Sequence, residues 1–187
     1  LSSWRDQQGE GSHTVLWGPE IGFALKLADS GQQDFAVIKA SRGGGGNSFW
    51  LKGSRDDHMY QHLITTVKEA VSTIPNGRPF RIRAVLYIQG ESDSETEAKL
   101  AGERIAKLIT NLRRDLPHAK EARLLVGGIA VTGSRRNVVR NQQAAEAARN
   151  EAIEYIDNSD LKSQLYDGLH FNKNGKLIAG QRLAERW

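Results

Sequence analysis

Asp167 and His170 stand three apart in YDGLHFN, a spacing that lets a folded loop bring a carboxylate to an imidazole. With the carboxylate accepting the Nδ1 proton, Nε2 is left free as a general base. The same carboxylate stabilises the imidazolium formed once a proton has been taken. An aspartate capping a helix beside a surface histidine uses the same two residues, so the pair alone does not settle its role.

A second group lies in LYIQGESDSETEAKL, residues 86–100, which turns from apolar to acidic within a few positions. Gln89, at the end of the apolar run, offers an amide N–H₂ suited to a developing negative charge. Gly90 permits close approach, and Glu91 is placed to brace neighbouring backbone or side chains. Ser92 to Glu97 read as helix initiation, where acidic side chains suit the dipole. A third group is SRGGGGNSF, with glycines from Gly43 to Gly46. A glycine N–H there could hold an oxyanion, and a flexible turn explains the run equally well. A phosphate-binding loop does not, because the Lys-Ser/Thr pair is absent.

Metal chemistry has weaker support. Glu91, Asp93, Glu95 and Glu97 lack both a neighbouring histidine and a calcium-loop spacing. His58 and His62 are four apart but are not part of H-E-x-x-H; they flank an apolar stripe and read as a solvated helix edge. His13 and His118 have no informative context. Trp4, Trp17, Trp50 and Trp187 read as core or lid packing, with Trp50 nearest the proposed crevice.

Alternating helices and strands must position these groups. GPEIGFALKLAD predicts a helix with Pro19 and Glu20 in its first turn, and residues 34–40 predict a short strand. Residues 56–74 predict a helix with Met59, Leu63, Val67, Ala70 and Ile74 on one stripe, ended by NGRP. Residues 80–88 and 122–131 predict buried strands. From Ser94, a capping box opens a helix with Ala101, Ile105, Leu108 and Leu112 inward. RNVVRNQQAAEAARNEAIEYI, 136–156, predicts one helix, and 172–187 a closing one. The pattern implies an α/β fold, a doubly wound parallel sheet in three α/β/α layers, formed as one domain over residues 1–187. Ligands of such sheets sit beyond the carboxyl ends of the strands, where the three groups above fall.

Composition narrows the classes further. The 187 residues contain 39% hydrophobic side chains, those of an ordinary globular chain, and no cysteine, which excludes disulfides and thiol catalysis. No apolar run approaches the roughly 20 residues of a membrane span. The net charge is +4, but Lys and Arg are mixed with Asp and Glu throughout. The densest cluster, around Arg135, Arg136 and Arg140, has no interleaved aromatics, so nucleic acid is not an expected partner. No signal peptide is visible in LSSWRDQQGEGSH, and the compartment stays open.

Taken together, GPEIGFALKLA, IKASRGGGGNS, LYIQGESDS and DGLHFNKNG resemble the SGNH hydrolase superfamily. Within it they resemble carbohydrate esterases of the sialate O-acetylesterase and acetylxylan esterase type. VVRNQQ, 138–143, is similar to the family's Val-Arg-x-x-Gln helix start. The resemblance implies a flavodoxin-like fold and hydrolysis of acetyl esters on sugars. It assigns Asp167 and His170 to a Ser-His-Asp triad, and Gln89 with Gly45 or Gly46 to the oxyanion hole. Glu91 falls beside them, and no metal or organic cofactor is implied. The family's Gly-Gln-Ser-Asn block and its first strand have no counterpart. Ser2 and Ser3 follow neither a strand nor a glycine turn. The nucleophile is therefore expected upstream, in an opening stretch of about 40 or more residues outside this sequence. The competing expectation is a nucleophile-less carbohydrate-binding or scaffold protein of the same fold.

Overall fold

The computed structural model describes residues 17–54, 58–75 and 78–187. Ser2, Ser3, Trp4 and His13 lie outside the described residues, as do Asp56 and Asp57 at the expected helix start and Asn76 and Gly77 of the expected break. Pro19 opens α1 (Pro19–Asp29), where its fixed φ suits the first turn. A 3₁₀ turn (Asn47–Trp50) and α2 (His58–Ser72) follow, then β1 (Ala84–Tyr87), α3 (Glu95–Lys99) and α4 (Ala101–Asp115). The chain continues through β2 (Arg123–Gly127), α5 (Ser134–Ala147), β3 (Ile153–Ile156), a 3₁₀ segment (Ser159–Gln164) and α6 (Lys173–Ala184). No helix among the described residues is long and apolar enough to cross a membrane.

The strands pair in the order β1-β2-β3 and all run parallel, with Ala84 opposite Arg123 and Leu124 opposite Ile153. Alternating side chains send Leu124 and Val126 to the cluster holding Ile105, Leu108 and Leu112 of α4. Leu125 faces the other way, towards Phe23 and Leu27 of α1 and Leu183 of α6. Helices therefore cover both faces, and the α/β/α layering follows.

Two sequence expectations are corrected. Residues 136–156 are not one helix: α5 ends at Ala147 and the final residues form β3. Asn150 makes the break, its side chain accepting from the Ala152 N–H and its carbonyl from Ile153 N–H. IEYI then obeys a period of two, with Ile153 and Ile156 in opposite clusters. Residues 34–40 form no strand and join no sheet, and Val37 and Ile38 are 37% and 36% exposed. They have no ladder to join, because no strand among the described residues lies on the side of β1 away from β2. Between that edge and 34–40 runs a groove of about 870 Å³, lined by Phe35, Val37, Ile38, Leu86 and Ile88.

The α1–α6 contact depends on two glycines. A Cβ on Gly22 would lie 2.2 Å from the Leu177 carbonyl oxygen, and one on Gly180 2.0 Å from that of Pro19. Backbone cannot yield as a side-chain tip can. Gly180→Val should therefore destabilise the protein by about 1–3 kcal/mol or more, read as a lower denaturation midpoint. An unchanged midpoint would contradict this packing.

Candidate functional site

The Asp167–His170 loop is a tight hairpin closed by a bridge between Leu165 and Phe171 and by the Tyr166 N–H donating to the His170 carbonyl at 3.0 Å. Gly168, at φ +77°, makes the turn. Asp167 Oδ1 accepts from the N–H groups of Leu169 and His170 at 2.9 and 2.7 Å. Its Oδ2 lies 2.6 Å from His170 Nδ1. The carboxylate thus shapes the loop with one oxygen and orients the imidazole with the other. The hydrogen bond from His170 is the largest of the effects that hold its carboxyl well below the usual range. It does not cap α6; Asn172 does, accepting from Gly175 N–H at 2.9 Å. The imidazole is 57% exposed. No serine among the described residues bonds it.

Gln89 emerges one residue past Ile88, beyond the end of β1, with its amide donating to the Gly45 carbonyl. Its own carbonyl accepts from the buried Gln143 amide at 3.1 Å. The chain around Gln89 is thus held while its side chain reaches the glycine run. Gly45 and Gly46 are buried, and no hydrogen bond from either N–H reaches a described residue. Gly90, at φ +135°, serves closeness to protein: a Cβ there would meet Val139 of α5 at 2.5 Å. In VVRNQQ, Val139 therefore packs on Gly90 and Gln143 holds Gln89. Arg140 donates to the carbonyls of Ile129 and Val131, at 3.0 and 2.7 Å, fixing the chain leaving β2.

The sequence reading missed what joins these loops. Asp93 is fully buried, and its carboxylate accepts from the backbone N–H of Asn47 at 2.7 Å and from its amide at 2.5 Å. Tyr87 completes the chain by donating to Asn47 Oδ1 at 2.5 Å. A Cβ on Gly46 would lie 2.5 Å from Asp93 Oδ1, so the glycine is required by the clamp itself. The only signal in the sequence was a polar asparagine directly after a glycine run. Asp93 is thereby engaged with Asn47, and His58 accepts from Arg42 beside Phe49.

Glu91 lies two residues past Gln89 in the same loop. Burial, the largest influence, raises its carboxyl; the positive charge of His170 opposes that rise and Asp93 adds to it. Ile88, next to Gln89, and Leu165 and Phe171, on either side of the Asp167–His170 turn, pack against one cluster of Ala130, Leu161 and Ala179, while Asp93 holds the end of the glycine run. No hydrogen bond joins His170 to Gln89.

The folded state holds the Glu91 proton more tightly than the unfolded chain. Its contribution to stability is therefore full below the ordinary value of 4.5 and lost as pH rises through the folded one. Glu91→Gln should flatten the fall in melting temperature as pH rises above 4.5. Asp93→Ala should cost about 1–3 kcal/mol in chemical denaturation for each of the two Asn47 donors it leaves without an acceptor. A neutral outcome for Asp93→Ala would show the two loops held by other means.

The family model described as "Carbohydrate esterase, sialic acid-specific acetylesterase" matches residues 5–187. A probable carbohydrate esterase of Arabidopsis thaliana is 29% identical over 175 residues, which is 91% of this chain and 63% of the relative. The chain thus spans less than two thirds of that relative's length. The crystal structure of the protein from the same Arabidopsis locus superposes with a TM-score of 0.75 at 25% identity, covering 95% of this chain and 70% of that one. On the match of nearly its whole length, the chain belongs to the carbohydrate esterase, sialic acid-specific acetylesterase family.

Proposed function

We propose that the protein is a serine esterase that removes acetyl groups from carbohydrate hydroxyls. The observation that carries the reading is the 2.6 Å contact of Asp167 with His170 Nδ1, which leaves the exposed ring's other nitrogen able to take a proton. The nucleophile comes from a segment outside these 187 residues. Its support is the apolar groove of about 870 Å³ along the edge of β1 that no strand among the described residues pairs with. The greater length of the Arabidopsis relative leaves room for such a segment.

In the mechanism, His170 Nε2 takes the serine hydroxyl proton as the oxygen attacks the acetyl carbonyl. Asp167 holds the ring and balances the imidazolium. Gln89 turns its amide from the Gly45 carbonyl to the oxyanion, joined by the Gly45 or Gly46 N–H. The tetrahedral intermediate collapses, the ester C–O bond breaks, and the imidazolium returns its proton to the sugar oxygen. Water, deprotonated by His170, then releases acetate and frees the serine. Glu91 braces the Gln89 loop.

In the complete polypeptide, Gln89→Ala should lower kcat by about 10²–10³ with a smaller change in KM. His170→Ala should abolish labelling by a fluorophosphonate, and the 187-residue chain alone should stay unlabelled. A complete protein that neither labels nor hydrolyses acetyl esters would instead favour a nucleophile-less binding protein.

A further inference from the structure

Tyr166 is 68% exposed, more than any other large apolar side chain among the described residues. Its ring lies 5.8 Å from the His170 imidazole at an interplanar angle of 22°, so the two rings are nearly parallel. Both belong to one hairpin: the Tyr166 N–H bonds the His170 carbonyl, and Leu165 bridges to Phe171. Leu165 and Phe171 pack inward while the tyrosine between them points out. The ring joins none of the hydrophobic clusters among the described residues, and one of its faces meets His170.

We infer that Tyr166 is an aromatic subsite for the pyranose ring of the acetylated substrate. The inference rests on the esterase reading above. When the ester C–O bond breaks, the leaving oxygen takes its proton from His170 Nε2, so that oxygen must lie within hydrogen-bond reach of the imidazole. The acyl carbonyl points the other way, to Gln89 and the glycine N–H. It is therefore the alcohol half of the ester that lies against the surface beside His170. The flat, exposed and apolar part of that surface is Tyr166. A pyranose presents a face of C–H groups that can lie on such a ring, as flat ligands stack on exposed aromatics elsewhere. Tyr166 then selects for the sugar and is indifferent to the acyl group. Contact made before and during reaction acts mainly through KM.

The test uses the complete polypeptide with an O-acetylated methyl glucopyranoside and with ethyl acetate, which has no ring in its alcohol. The readout is the ratio of the two kcat/KM values. Tyr166→Ala should lower that ratio by about three- to tenfold, the scale of one aromatic contact, through a higher KM for the sugar ester. Tyr166→Phe should keep it, since the ring face is retained. An unmoved ratio in Tyr166→Ala, including equal losses on both esters, overturns the subsite. So does an equal fall in Tyr166→Phe, which would assign the effect to the hydroxyl. If the wild-type protein hydrolyses neither ester, the esterase reading fails first and the subsite falls with it.

Discussion

A carboxylate removed from water must be met by donors, and at Asp93 both oxygens are met by a single residue, Asn47. Forty-six positions separate the two, so the pairing fastens the glycine run to the segment that follows β1. Tyr87 extends it into the sheet by donating to the same asparagine. Opening the loop would strand a buried charge and leave an amide without its acceptor. The placement of Gly45 beside Gln89 follows from that constraint. The glycines let the backbone come close, and Asp93 makes the closeness obligatory.

The sheet imposes the second condition. Parallel strands deliver their carboxyl ends to one rim, and Ile88 after β1 packs on the same cluster as Leu165 and Phe171 before α6. β2, paired on both sides, is almost wholly buried, whereas β1, paired on one side, remains half-covered despite its apolar sequence. The composition of β1 is that of an interior strand, and its surroundings are those of an edge. A polypeptide strand in the adjoining groove would reconcile the two. It would also give residues 34–40 a ladder.

Legibility in the sequence tracked how local each interaction is. Asp167 and His170 could be read because three residues and one glycine turn carry their contact. Gln89 stood out as an amide at the end of an apolar run. Asp93 and Asn47 could not be paired, since nothing in either neighbourhood announces a partner 46 residues away. β3 was hidden because no proline or glycine separates it from α5, and Asn150 does the breaking through its own side chain and carbonyl. The segment 34–40 was read wrongly as a strand, because pairing depends on what lies alongside. Tyr166 resembled any surface aromatic until its parallel ring contact with His170 was visible.

The central claim is that the Asp167-held imidazole, the Gln89 amide and a glycine N–H converge on one reacting carbonyl. A crystal structure of the complete polypeptide, covalently modified by an acetyl-sized phosphonate, measures this directly. The account predicts a serine-bound phosphorus with one oxygen within about 3 Å of both Gln89 Nε2 and the Gly45 or Gly46 N–H. The His170 ring should lie against the serine oxygen. A phosphonate bound elsewhere, or a Gln89 amide still fastened to the Gly45 carbonyl in the modified protein, would contradict it.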